Sequence, residues 1–181
     1  MTPRYAPQLS HMGIFCRDLD RMTAFYCQVF DLTSTDRGHG HTMPFEIQFL
    51  SGSPDQHHQL VLASSRGADV PSTVMQLSFK VQTIDQLREA QRRALAHGAT
   101  KMRGLSHGNA LSIYFSDVED NTVEVYLDTP WHVSQPHGNP LDLSRSDEDI
   151  WADTERACRA DPSFKPMAQW RADFQRAGSG T

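Results

Sequence analysis

Long apolar runs are missing from this sequence. No stretch approaches the roughly 20 residues a membrane-spanning helix needs, and the opening MTPRYAPQLSH has no apolar core of a secretory leader. The expectation is a cytoplasmic chain without a membrane partner. Clustered positive charge is missing too. Seventeen Lys and Arg stand against 22 Asp and Glu, a formal net charge of −5, and the basic residues are scattered. That excludes a nucleic-acid surface, which needs Lys and Arg gathered on one face. Cysteine is scarce. Cys16, Cys27 and Cys158 are an odd number without metal-ligand spacing, so they read as reduced, buried thiols. What remains, 181 residues, suffices for one domain with a sizeable core or two small modules.

A repeat is present. LSHMGIFCRDLDRM (9–22) is echoed by VMQLSFKVQTIDQL (74–87), with His11 matched to Gln76 at an offset of 65 positions. The same offset pairs Ile14 with Phe79, Asp20 with Asp85, Phe49 with Tyr114, Asp55 with Asp120, Gln59 with Glu124 and Leu62 with Leu127 without a gap. One register held across strand, helix and hairpin signals indicates two modules, about 8–63 and 73–128.

Each module has the same order of elements. A short alternating strand (9–16, 75–82) runs into a helix cap and an amphipathic helix, with Gly98 as the C-cap glycine of the second. Three strands follow, near 32–36, 44–50 and 58–63 in the first module and 99–103, 109–116 and 121–127 in the second, where EDNT makes the last turn. The expected fold is therefore α+β, with tandem βαβββ modules forming an open, cup-shaped sheet over residues 1–130. Residues 131–181 form a C-terminal extension: a Pro-rich extended segment anchored by Trp131, a helix begun by Ser146 with Ile150, Ala157 and Cys158 on one side, and a short helix near 165–176. The last carries Met167, Trp170 and Phe174 at helical spacing, a stripe suited to covering a sheet or a partner subunit.

The paired βαβββ pattern, the starts LSHMGIFCRDLDRMTAFY and MQLSFKV and the ending YFSDVEDNTVEVYLD resemble the vicinal oxygen chelate superfamily over about residues 8–130. That superfamily includes glyoxalase I, fosfomycin-resistance proteins and type I extradiol dioxygenases. The resemblance implies metal ligands at His11, Gln76 and Glu124, with Gln59 in the fourth slot as a substrate-facing group. HHQLVLAS resembles the paired histidines of the extradiol branch, which implies His58 as acid–base catalyst. A tyrosine ten residues before the carboxylate ligand, here Tyr114, implies a hydrogen-bonding partner for the substrate. His107 and Asn109, in GLSHGNALS, are candidate substrate-binding residues at the rim.

The activity so implied is metal-dependent extradiol-type ring cleavage of a catechol-like or biphenyl-diol-like aromatic, with O2 as co-substrate. The metal would be Fe(II), with Mn(II) or Zn(II) as alternatives, because Gln76 offers a weaker neutral oxygen where the usual facial set has a second imidazole. Two other readings stay open. One is a glyoxalase-type isomerase or lyase, against which Gln59 argues, since that chemistry resembles a site with two carboxylates. The other is a metal-free protein that binds a small molecule in the cup, which the Gln59 and Gln76 amides would suit. Exposed sheet edges favour a homodimer.

Each candidate also has a plainer reading. His11 can be a structural histidine at a strand start. Glu124 lies between Val123 and Val125, where an unpaired buried carboxylate is costly, so a metal or an internal partner is expected. Alternation puts His57 and Gln59 on one face and His58 on the other, so only an irregular strand start lets His58 reach the cup. Tyr114 can be core, and His39, His41 and His107 can be surface residues.

Overall fold

The computed structural model describes residues 7–178; residues 1–6, where the leader reading begins, and 179–181 lie outside them. It divides into two compact units. One runs through Val74 and takes in Val118–Asp120; the other comprises Met75–Asp117 and the chain from Asn121 onward.

The first unit is a βαβββ module. β1 (Met12–Cys16) leads into α1 (Leu19–Phe30), followed by β2 (Thr33–His39), β3 (Glu46–Ser51) and β4 (Leu60–Ser64), in the sheet order β1-β4-β3-β2. The helix starts at Leu19 because the Asp18 carboxylate accepts the Arg21 N–H at 2.9 Å, and it stops where Asp31 turns left-handed at φ 54°. Its apolar face, Leu19, Met22, Phe25, Tyr26 and Val29, is buried with Ile14, Cys16, Leu50, Leu60 and Leu62. The opposite sheet face stays open, with Phe15 53% exposed. Glu119 is sunk into this unit. Its carboxylate accepts the Arg17 and Asp18 backbone N–H groups at 2.6–2.9 Å and pairs with Arg66 at 2.5 Å, both side chains being almost fully buried.

The second unit repeats the module and adds the extension. β5 (Leu77–Lys80), α2 (Ile84–Ala96), β6 (Thr100–Ser106), β7 (Ala110–Ser116) and β8 (Thr122–Asp128) build an open sheet in the order β10-β6-β7-β8-β5, with β10 (Asn139–Pro140) on its edge. Thr83 caps α2, and Gly98 follows it at φ 93°, as the C-cap expectation requires. Parallel pairing sets Ser78 beside Glu124, and antiparallel pairing sets Tyr114 opposite Glu124. Val123, Val125 and Leu127 alternate inward with Leu111, Ile113 and Phe115 as the core.

The extension is part of that core. Its remaining elements are β9 (Trp131–His132), α3 (Asp147–Ala160), β11 (Lys165–Pro166) and α4 (Met167–Gly178). Val133, Leu143, Ile150 and Cys158 are buried, and Trp131 meets Trp151 edge to face at 5.9 Å. The chain at Leu141 passes so close to β6 that a Cβ on Gly104 would lie 2.2 Å from the Leu141 carbonyl oxygen. Trp170 of the α4 stripe stacks on His132 of β9, in the two-stranded β11-β9 pairing, and on Phe174, with Trp170 and Phe174 still 37% and 55% exposed.

Candidate functional site

Glu124 sits in mid-strand on the open face of the second unit's sheet, yet only 7% of it is exposed. Both oxygens are occupied. Oε1 accepts the Ser112 hydroxyl at 2.9 Å and the Tyr114 hydroxyl at 2.5 Å, while Oε2 accepts the Ser78 hydroxyl at 2.6 Å and the Gln76 amide N–H at 2.9 Å. Four donors at the carboxylate replace the water lost on burial, so Glu124 has internal partners.

The network continues outward. His107 Nε2 lies 2.9 Å from the Tyr114 hydroxyl and its Nδ1 lies 2.8 Å from the His137 carbonyl. The carbonyl can only accept, so Nδ1 carries a proton. With the Tyr114 hydroxyl turned to Glu124, its oxygen faces His107 Nε2, so imidazole, phenol and carboxylate lie in one line of polar contacts. Burial first, then the hydrogen bond to and charge of Glu124, push the Tyr114 hydroxyl well above its ordinary range.

In the first unit His11, His57 and His58 gather. Residues 57–59 are irregular, and β4 begins only at Leu60, which releases His58 from strand alternation. Its ring packs 4.4 Å from that of His11 and 5.1 Å from Phe49. His57 Nε2 lies 2.8 Å from Asp36 Oδ2, and its Nδ1 lies 2.9 Å from His58 Nδ1. The carboxylate takes the Nε2 proton of His57, so a neutral His57 must accept at Nδ1, and His58 donates from its own Nδ1, keeping its lone pair on Nε2. Desolvation, followed by the His11 and His57 charges, lowers the His58 pKa.

Gln76, Glu124, Tyr114 and His107 share one network in the second unit; His11 and His58 are ring neighbours in the first. Gln59 is engaged elsewhere, its amide oxygen accepting the Gly52 N–H at 2.9 Å in its own hairpin. Asn109 turns its side-chain oxygen to Gln135 of the extension at 3.3 Å. Ser78 and Ser112 escaped the sequence reading, although period-two alternation from Gln76 and Tyr114 puts both on the Glu124 face.

A metal ion does not fit the second unit's donor set in this arrangement. Every acceptor direction of Glu124 points at a hydrogen, and Gln76 presents its N–H groups, to Glu124 and to Ser78, rather than directing its oxygen with the carboxylate to one point. Among the described residues no group of three His, Cys, Asp or Glu could hold an ion.

The family model described as Glyoxalase/Bleomycin resistance protein/Dioxygenase superfamily matches residues 8–125. The chain belongs to this superfamily. Solved structures agree on the fold. A glyoxylase/bleomycin resistance protein/dioxygenase domain from Frankia sp. EAN1pec is similar with a TM-score of 0.59 and 22% identity, over 68% of this chain and 93% of that one. The fosfomycin resistance protein FosX from Mesorhizobium loti is similar at 0.53 and 26%, over 68% and 94%. FosX from Listeria monocytogenes, complexed with Mn(II) and sulfate, is similar at 0.53 and 20%, over 68% and 94%. No curated protein matches. The superfamily match stops before the extension, and no helix among the described residues is long and apolar enough to cross a membrane.

Proposed function

We propose that this superfamily member binds a small phenolic or catechol-like molecule on the open sheet face of its second unit, and that it does so without a metal. The observation that carries this reading is the fourfold hydrogen-bonded Glu124, a carboxylate made stable in a nearly buried position by Gln76, Ser78, Ser112 and Tyr114. A ligand hydroxyl can exchange with the Ser78 hydroxyl as donor to that carboxylate, with the Tyr114 hydroxyl beside it as a second hydrogen-bonding partner. The second partner in this reading is another copy of the chain, which Met12 and Phe15, 40% and 53% exposed on edge strand β1, would suit.

Calorimetric titration of chelator-treated protein with phenol, catechol and toluene tests the proposal. Phenol and catechol should bind and toluene should not, and Tyr114→Phe should weaken binding by on the order of tenfold, one hydrogen bond to a charged group. Equal binding of toluene would remove the polar network from the recognition.

The second reading is the extradiol-type dioxygenase, favoured by the 2.5 Å contact between Tyr114 and Glu124 and by a His58 imidazole whose pKa burial lowers, the direction a base needs. It requires Glu124 to release donors and Gln76 to turn its oxygen round. Gln76→His should then raise iron content after anaerobic Fe(II) loading and support oxygen uptake with catechol, with His58→Ala losing turnover by on the order of 10²–10⁴. Wild-type and Gln76→His proteins that both stay iron-free would end it. Nothing favours the glyoxalase-type alternative, because the Gln59 oxygen is held by Gly52.

A further inference from the structure

β6 is bulged beside the site. It pairs Thr100 with Ser116 and Arg103 with Tyr114, so two of its residues, Lys101 and Met102, stand opposite Phe115 alone. Lys101 adopts a left-handed backbone, φ 55°, outside any glycine. Bulges and such outliers gather where a strand re-aims side chains for a task. The first unit carries the corresponding irregularity between Ser34 and Asp36, and there the position matched to Lys101 by the 65-residue offset is Asp36, held by His57. The second unit therefore exchanges an acid for a base at the same point of the repeat and adds Arg103.

Arg103 differs from most arginines of the chain. Arg37, Arg66, Arg88, Arg92, Arg145 and Arg176 each touch a carboxylate. Among the described residues Arg103 touches none; its guanidinium lies 5.0 Å above the centre of the Tyr114 ring. Glu124 makes no ion pair with it among the described residues; its four hydrogen-bond donors are Gln76, Ser78, Ser112 and Tyr114. Beside the ring opens a cavity of about 250 Å3 lined by Lys101, Arg103, Tyr114, Phe115, Ser116 and Thr122. Among the described residues neither the Ser116 nor the Thr122 hydroxyl is bonded to another side chain. The cavity is thus lined by the Arg103 guanidinium and two hydroxyls, with no carboxylate in its lining.

We propose that the bulge of β6 forms an anion subsite in which Arg103 reads a carboxylate on the ligand, so that the preferred ligand is an aromatic hydroxy acid whose phenol end meets Tyr114. Arg103 suits the task because its planar fork matches a carboxylate with two parallel N–H bonds, while Tyr114 holds the guanidinium from below. This rests on the phenol-binding reading above only for the orientation of the ligand.

The test compares 4-hydroxybenzoate, benzoate and phenol by titration calorimetry on the whole chain, wild type and Arg103→Gln, with matched melting temperatures. Wild type should bind 4-hydroxybenzoate at least about tenfold more tightly than phenol at low salt, with a ratio that shrinks as salt rises. Arg103→Gln should bring the ratio close to one, and Arg103→Lys should restore part of it. A ratio that survives in Arg103→Gln, or wild-type protein that does not discriminate, overturns the subsite. If benzoate binds through Arg103 but Tyr114→Phe leaves 4-hydroxybenzoate unaffected, the subsite stands and the phenol reading falls. If no probe binds, both fall.

Discussion

Glu124 owes its place to four neighbours, and each can be removed singly. Ser112→Ala and Tyr114→Phe each delete one donor from a nearly buried carboxylate, and thermal unfolding should report a loss of about 1–3 kcal/mol apiece, the cost of a lost bond to a charged group. Because the two donate to the same oxygen, the double variant should lose less or more than the sum, and strict additivity would mean that they do not share it. His58 gives a pH effect with a definite sign. Its pKa in the folded protein is lowered, so below the ordinary histidine range the unfolded chain takes up a proton that the folded chain resists. Stability should fall as the pH drops below about 6.5, the ordinary histidine value, and His58→Asn should flatten that slope. Burial raises the thiols of Cys16, to about 12, and Cys158, so neither should react with an alkylating reagent at pH 8 until the protein unfolds.

Among the elements, those with strong local signals were legible in the sequence. The 65-residue offset located both modules, Asp18 and Thr83 start the two helices and Gly98 follows the second, because caps and apolar spacing act within a few residues. Other features depend on contacts distant in sequence. Glu124 could be read as needing a partner, but which partner was hidden, since Gln76 and Ser78 reach it only through the parallel pairing of β5 with β8. His58 was placed by the failure of strand structure at 57–59, and the Ser51 hydroxyl, bonded to the Gln56 carbonyl at 2.7 Å, organises that turn. The α4 stripe was legible as an apolar face from its helical spacing, and the spacing does not show that Trp170 stacks on His132 of β9. At this scale the helix cap is the cleanest test. Ser146 accepts the Asp149 N–H at 3.2 Å, and Ser146→Ala should cost about 1 kcal/mol by denaturant titration, whereas Ser146→Asp should cost little.

For the whole molecule, the extension behaves as part of the second unit and not as a tail. Val133 and Cys158 are fully buried, and β10 pairs with β6 at Ser106 and Leu105. Removing residues 129–181 should expose this apolar surface, and a truncated chain that remained soluble with an unchanged melting temperature would contradict the packing. The extension also supplies the His137 carbonyl that fixes the His107 proton, which ties it to the site's chemistry. The central claim is that the Glu124 network recognises a phenol unaided by a metal, and the most direct measurement is catechol affinity by calorimetry before and after exhaustive chelation, with metal content assayed on the same samples. The account predicts the same dissociation constant in both and binding by protein that contains no iron, manganese or zinc. Binding that disappears on chelation and returns in proportion to added Fe(II) or Mn(II) would contradict it.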